Sequence, residues 1–432
     1  MYRTENNREK RGYIKVLISH LTNLAIEYLK NINGENEFEN KFSEVRFLKM
    51  LNTRKLDNLF SSQFKNLNNL FTGKYDSDSG QFLFSMLMQK EYCNLLLDRD
   101  YQQKTSEVLL KQTEYLLLFF LSEFFKNRAH YRTNEYVFNA PIEGTLMKLI
   151  SENFNFSPVI EYLKVSKSKS YPVIAVYYYS MMSQLDINND EYYKSFKELF
   201  ENNIDLFDHE VKGDLYVDLE ACCWKRLNNN IDEDRRDYYR KELFEIYKNE
   251  LKLGLYKYEY DYIRIHKFRN IIMAALNLKE YDWLENFTKK YYKELAPEYR
   301  ENLYNYSLAV INFNRGKFEE ALALFSKIKY DYFYLKVDVK NWMLLIYYEL
   351  KHNEQANSLI DSYKHFLAKN KNLSELFRKN NLDFLNCYIQ LMKYNSGNES
   401  VELNKIRSEI SSRGKFIHKG WLLKKIEELI NN

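Results

Sequence analysis

Glycine and proline are scarce in this chain, which has only 11 Gly and 4 Pro among its 432 residues. Both residues favour turns and interrupt helices, so their scarcity indicates few turns and long helices. Apolar residues recur at i, i+3, i+4 and i+7 along most of the chain, which is the period of an amphipathic helix, whereas the alternation typical of strands is not found. The sequence therefore predicts an all-α fold.

Long hydrophobic runs are also missing. No apolar run is longer than that from Tyr115 to Leu121, which is far shorter than the roughly 20 residues that cross a bilayer. Lys15, His20 and Asn23 interrupt any signal-like segment near the N-terminus. The four cysteines are scattered and lack the spacing of paired zinc ligands. These features predict a soluble protein with reduced thiols, no membrane association and a cytoplasmic location.

No excess of either charge is present, since 64 Lys and Arg oppose 60 Asp and Glu for a net charge of +4. No strong attraction to nucleic acid or an anionic membrane follows from that balance. Glycine-rich phosphate loops, HExxH, GxSxG and paired CxxC motifs are absent too. The local cluster of Asp205, Asp208, His209 and Glu210 lies where a loop enters a helix, and there acidic residues cap free N–H groups. We therefore expect no enzyme activity, no metal and no cofactor.

What the chain does contain is a repeat, clearest between Leu303 and Tyr363. Two helix–turn–helix segments can be superimposed there, because Ala321 and Ala356 are 35 residues apart. In the first segment Ala309 and Phe325 occupy positions where a small residue lets helices approach and an aromatic ring fills the gap to the next hairpin. Such hairpins bury their apolar faces only when they stack on neighbours.

This pattern resembles the tetratricopeptide repeat, with departures at Asn305, Asn312 and Phe333, where tryptophan, tyrosine and proline are usual. The chain also resembles, more loosely, uncharacterised bacterial helical-repeat proteins through three phrases: ALNLKEYDWLENF (275–287), RGKFEEALALF (315–325) and GWLLKKIEEL (420–429). The resemblance covers about residues 172–432. It implies a right-handed α-solenoid that acts as a binding scaffold, and it transfers no catalytic residue.

Three regions are predicted: an N-terminal helical region (1–157), degenerate tetratricopeptide-like hairpins (158–412) and a C-terminal capping helix (413–432). In the first region a helix at 102–127 has the most hydrophobic face of the chain, which is typical of a central position in a bundle. In the last, Trp421, Leu422, Ile426 and Leu429 are expected to face inward and cover the final hairpin.

If the hairpins stack as tetratricopeptides do, their first helices line a concave groove suited to a peptide or protein partner. The groove positions of the clearest units predict a partly exposed binding surface formed by His266, Arg269, Tyr306, Asn314, Asp338, Asn341 and Tyr348. The same positions could instead contact other parts of the chain. The leading interpretation is a non-enzymatic protein-interaction scaffold, with its oligomeric state open.

An alternative function rests on the stretch LYKYEYDYIRIHKFRN (255–270), which interleaves aromatic residues with Lys257, Arg264 and Lys267. Such a pattern is typical of helices that contact a phosphate backbone, so a nucleic-acid-associated or regulatory protein is the second interpretation. The competing structural reading is a single helix with core aromatics on one face and solvated bases on the other.

Overall fold

The structure is a computed structural model that describes residues 14–21, 24, 37–72, 79–138, 142–229, 231–257, 261–329, 333–370, 375–395, 397, 402–412 and 416–431. Within these ranges the fold is all-helical, as predicted, and the only β-type pairing is an isolated bridge between Ile263 and Leu295. None of the described helices combines the length and the apolar character that spanning a bilayer requires.

Residues 14–21 form the first described helical turns, and a series of longer helices follows. Their bounds are α1 Glu37–Thr53, α2 Asp57–Thr72, α3 Ser79–Asp98, α4 Gln102–Phe138, α5 Leu146–Asn153 and α6 Ser157–Val165. The sequence also predicts a first helix at 13–31 and a loop between Gly73 and Gly80. The loop and the second half of that helix lie largely outside the described residues.

The remainder consists of helices joined mostly by short connections. They are α7 Tyr171–Leu185, α8 Asp190–Asn202, α9 His209–Leu227, α10 Glu233–Leu253, α11 Ile265–Asn277, α12 Tyr281–Tyr291, α13 Pro297–Asn314, α14 Phe318–Phe325, α15 Phe333–Glu349, α16 Asn353–Lys369, α17 Glu375–Asn395, α18 Leu403–Ser412 and α19 Lys419–Ile430. Short 3-10 turns at 204–206, 255–257 and 292–294 lie between them.

The chain divides into two compact units, one of Met1–Phe124 with Asn155–Ala175 and the other of Phe125–Phe154 with Val176–Asn432. In the first unit, α1, α2 and α3 share an apolar core. Its buried side chains are Val45, Leu48, Leu51, Phe60, Leu67, Phe84, Met88 and Leu95.

Helix α4 differs from the expectation that its hydrophobic face is central. Leu110 is 72% exposed and Leu117 54% exposed, whereas Leu118 and Leu121 are buried. The helix therefore buries one narrow apolar side and leaves a second one open. The sequence could not distinguish these two sides, because both carry leucine at helical spacing.

In the second unit, helices adjacent in sequence pack against each other from α9 to α19. Ala309 and Ala321 are both fully buried, where α13 and α14 make the most extensive helix pair of the unit. Phe325 is buried as well and its ring meets that of Tyr306 at 6.0 Å. The small and aromatic residues of this hairpin thus have the packing roles that their spacing predicts.

Candidate functional site

The candidate site lies on the first helix of each hairpin in the second unit. We call α11, α13, α15 and α17 the first helices, and the surface that their facing side chains form the first-helix surface. Helix α13 contacts both α11 and α15 directly, so side chains far apart in sequence meet on these three helices.

A polar network joins three of the predicted groove residues. The Arg269 guanidinium on α11 pairs with both carboxylate oxygens of Asp338 on α15, and its Nη2 lies 2.9 Å from Oδ1. The Tyr306 hydroxyl on α13 donates to Asp338 at 3.4 Å and accepts from Nε1 of Trp342 at 3.3 Å. Arg269 keeps 28% of its side-chain surface exposed and Asp338 15%. The groove positions therefore converge on a partly open ion pair.

Two predicted groove residues are buried instead of partly exposed. Tyr306 has no exposed surface and Asn341 has 2%. Burial raises the pKa of Tyr306, which holds its phenol neutral. Asn341 donates to Asn381 at 3.3 Å, and Tyr363 donates to the same Asn381 oxygen at 2.5 Å. The expectation of exposure was wrong here, because these side chains fill the contacts between helices and leave no surface for a partner.

The remaining groove residues do not join the network. His266 and Asn314 are exposed, and the Asn314 amide donates to the Val310 carbonyl of its own helix at 2.7 Å. Tyr348 packs edge-on against Tyr388 of α17 at 6.2 Å and against Trp421 of α19 at 5.2 Å. Tyr348 is thus in contact with another part of the same chain.

The C-terminal helix α19 provides most of the site that the sequence analysis missed. Glu349 of α15 accepts from Nε1 of Trp421 at 3.1 Å and from the Lys425 ammonium at 2.9 Å. His418, just before α19, lies edge-on to Trp342 at 4.9 Å and packs against Phe384 of α17. Burial lowers the pKa of His418 to about 4, so the ring is neutral at pH 7.

One sequence signal could have located this part of the site. Asp338, Trp342 and Glu349 follow the i, i+4, i+11 spacing of a single helix face, so the groove position at Asp338 implied that the other two share its surface. In α19, Leu422 and Ile426 are fully buried as expected. The same helical pattern predicts that Lys425 faces water, but Lys425 pairs with Glu349.

The alternative basic patch is contradicted by the environment of Lys267. Its ammonium pairs with Glu220 of α9 and, at 2.5 Å, with Glu250 of α10, and only 11% of the side chain is exposed. Burial alone would lower the pKa of Lys267, but the two carboxylates outweigh it and raise that pKa. The pKa of Glu250 is raised by burial and by Glu220. Lys267 is therefore a buried counter-ion, unavailable to a phosphate.

The stretch 255–270 is also not one helix. A 3-10 turn ends at Lys257, Ile263 forms the isolated bridge to Leu295, and α11 begins only at Ile265. Lys257 pairs with Glu294 at 2.9 Å, and Arg264 is exposed at the start of α11. Lys257 and Lys267 thus pair with carboxylates on different elements of the fold.

Helix α9 carries a second buried polar group, which no motif signals. Asp218 accepts from the Ser180 hydroxyl at 2.7 Å and from the Gln184 amide at 3.2 Å, both on α7, while Lys225 donates to the Gln184 oxygen at 2.6 Å. Burial raises the pKa of Asp218 to about 6. About two turns further along α9, Arg226 is fully buried and pairs with Asp190.

The capping interpretation of the acidic cluster is confirmed at Asp208, whose side chain accepts from the Val211 N–H at 2.8 Å as the N-cap of α9. Cys222 and Cys223 are buried in the same helix. Burial raises the pKa of Cys222 to about 11, so this thiol stays protonated and unreactive at neutral pH.

Comparison with known proteins adds no assignment, since no family model, no curated protein and no solved structure matches this chain.

Proposed function

We propose that this protein is a non-enzymatic interaction scaffold of the cytoplasm, built as a right-handed solenoid of tetratricopeptide-like hairpins, which binds a peptide or protein partner on its first-helix surface. The observation that carries the proposal is the Arg269–Asp338–Tyr306 network. It joins three successive first helices at positions projected from the repeat register, and it leaves the ion pair partly exposed.

The roles within this surface differ from residue to residue. Tyr306 and Asn341 position the helices, whereas Arg269, Asp338 and the exposed His266 are the groups that a partner can reach. A half-buried arginine held by a carboxylate is pre-organised, so it can bind a backbone carbonyl or an acidic side chain with little further loss of freedom. Aromatic residues beside it add apolar contact area.

A peptide-display selection on the purified full chain tests the proposal. Selected peptides are then measured by fluorescence polarisation against wild type and against a double variant, Arg269→Gln with Asp338→Asn, which removes both charges while keeping amide hydrogen bonding. We expect the double variant to bind at least about fivefold more weakly, since central anchors of an interface contribute more than 1 kcal/mol.

Arg315→Gln is the matched control. Arg315 has a similar side-chain exposure of 33% and also forms ion pairs, with Asp282 and Glu285 on the neighbouring second helix α12. Its replacement should leave peptide affinity unchanged. Equal affinities for all three proteins, or a selection that yields no saturable binder, would refute binding on the first-helix surface.

The nucleic-acid alternative gains no support from the geometry, because Lys267 is buried between two carboxylates and Lys257 is paired. We do not propose it.

A further inference from the structure

One stretch of the first-helix surface, between α15 and α17, is already covered by a helix of the same chain. Its lining combines aromatic rings with one carboxylate: Trp342, Tyr348 and Glu349 on α15, and Phe384 and Tyr388 on α17. Helix α19 packs against α17 and α18 and places its own aromatic and basic side chains on this lining.

Two residues of α19, four positions apart, recognise the same carboxylate. Trp421 donates to Oε1 of Glu349 at 3.1 Å and Lys425 donates to Oε2 at 2.9 Å. Lys425 and Glu349 each retain only 14% side-chain exposure, so the pair is largely shielded from water. Charge-assisted hydrogen bonds of this kind are stronger than neutral ones, and they fix both the rotation and the register of the helix.

Apolar contacts complete the recognition. Leu422 and Ile426 follow Trp421 and Lys425 by one residue each, and both are fully buried. The Trp421 ring lies edge-on to Tyr348 at 5.2 Å and stacks on Tyr388 at 6.3 Å. The bound face therefore consists of an aromatic residue followed by an apolar one and, four positions later, a lysine followed by an apolar residue. The outward face carries the exposed Lys424 and Glu427.

The length of α19 and the residue at its start favour a helix that can leave the surface. Helix α19 has only 12 residues, a length at which an isolated helix is marginal in water. His418, at its start, has a positive φ of 52° and makes no side-chain cap hydrogen bond. A non-glycine residue in this left-handed region has a strained backbone. Leaving the surface would release that strain.

The empty surface, in turn, would favour a replacement. Without α19, Glu349 would lose both of its hydrogen-bond donors, and an unpaired carboxylate beside aromatic rings favours a cation. We propose that this part of the first-helix surface takes an amphipathic partner helix with a tryptophan and a lysine four residues apart, and that α19 occupies the place until the partner displaces it. This inference rests on the proposed function and names the class of partner.

The test uses the full chain with a specific protease site inserted between Ser412 and Phe416. After cleavage, α19 stays with the protein only through its non-covalent contacts. A fluorescein-labelled synthetic peptide of residues 416–431 is then added, and its exchange into the cleaved protein is followed by polarisation. We expect saturable binding, competed fully by the unlabelled peptide and absent with the uncleaved chain at the same concentration.

Peptide variants test the pattern. Trp421→Ala and Lys425→Ala peptides should each compete at least tenfold more weakly, whereas a Lys424→Ala peptide, changed on the outward face, should compete like the original. A Glu349→Gln protein should bind the original peptide more weakly and lose most of its discrimination against the Lys425→Ala peptide. That loss is a coupling that non-specific destabilisation does not produce.

Three results would overturn the inference: no exchange over days, unfolding or aggregation of the cleaved protein once α19 leaves, or equal competition by all peptides. The first two would make α19 a permanent structural cap. The third would show that the tryptophan and the lysine are not what the surface recognises. The peptide-display selection distinguishes failure of the α19 displacement from failure of the proposed peptide binding. Selected peptides that bind through Arg269 without releasing α19 would leave the first-helix surface functional and refute only the displacement.

Discussion

At the scale of single residues, charge inside this protein is neutralised in small clusters. Lys267 illustrates the case, because its ammonium holds Glu220 and Glu250 together from three different helices. Removing one member of a buried cluster leaves the others uncompensated in a medium that solvates them poorly. The cost of substitution at such a site is therefore much larger than at a surface ion pair.

Lys267→Ala should lower the free energy of unfolding by about 3–5 kcal/mol, the range typical when a buried pair loses one partner. Urea denaturation followed by circular dichroism measures the change. The matched control is Lys257→Ala, which removes an ion pair whose lysine is 40% exposed and should cost no more than about 1 kcal/mol. Adding Glu250→Gln to Lys267→Ala should restore part of the loss. Equal effects of the two alanine substitutions would refute the counter-ion role.

Tyr306 gives a second contrast. Its ring is fully buried among α11, α13 and α15, and its hydroxyl links Asp338 to Trp342. Tyr306→Ala should cost about 3–5 kcal/mol, as large-to-small changes of buried aromatic residues do. Asn314→Ala, at an exposed position of the same helix, should change stability by about 0.5 kcal/mol or less. If the Tyr306→Ala protein had the same melting temperature as wild type, the Tyr306 ring would lie outside the core.

At the scale of helices, the agreement between sequence and structure depends on local signals. The apolar spacing predicts a helix at 56–71, which is found at Asp57–Thr72. Aromatic residues just after an inter-helix turn predict the start of a second helix, and Tyr281 and Phe318 each begin one. Helix α4 was expected to end at Asn127 and continues to Phe138. The stretch 128–138 loses the regular apolar face but contains no glycine or proline to stop a helix, so it continues in the same conformation.

The pairing of buried charges was beyond sequence reasoning. Lys267 and Glu220 are 47 residues apart, and Arg269 and Asp338 are 69 apart. Helical periodicity shows which residues share a face of one helix, but it does not show which faces of two helices meet. The repeat register could therefore predict that Arg269 and Asp338 share a surface, whereas the burial of Tyr306 and the contacts of α19 required the tertiary structure.

The close contact between α13 and α14 predicts that a larger side chain at this helix pair destabilises the protein. Ala321 has no exposed surface, so a larger side chain there must push the two helices apart. Ala321→Trp should destabilise the protein by roughly 1–3 kcal/mol or more, the usual cost of overpacking. Ala323→Trp is the control, because Ala323 lies on the same short helix and is exposed. Thermal melts of both variants make the comparison, and a similar melting temperature for the two would refute the repeat register.

At the scale of the whole molecule, acid should act on two regions in opposite directions. The pKa of Asp218 is raised by burial to about 6, above its unfolded value near 3.8. The folded state therefore binds more protons between those two values, and the α7–α9 contact gains stability as pH falls through 6. The pKa of His418 is lowered by burial to about 4, below its unfolded value near 6.5. The unfolded state therefore binds more protons between pH 6.5 and pH 4, and α19 loses stability as the pH falls through that range. The charge of Asp338, which faces His418, opposes this loss but is itself paired with Arg269.

Hydrogen exchange with mass spectrometry at pH 8 and pH 5, corrected for the intrinsic rate, resolves the two regions. Each effect amounts to roughly 3 kcal/mol at most, because one pKa unit corresponds to 1.36 kcal/mol. Protection should rise in α7 and α9 and fall in α19 on going to pH 5. His418→Phe should abolish the acid loss in α19 alone, and Asp218→Asn should abolish the acid gain in α7 and α9 alone. Protection that changed in the same direction in both regions, or substitutions that were not selective, would show that burial of Asp218 and His418 does not govern the acid response. Contacts other than those around His418 would then have to hold α19 on its surface.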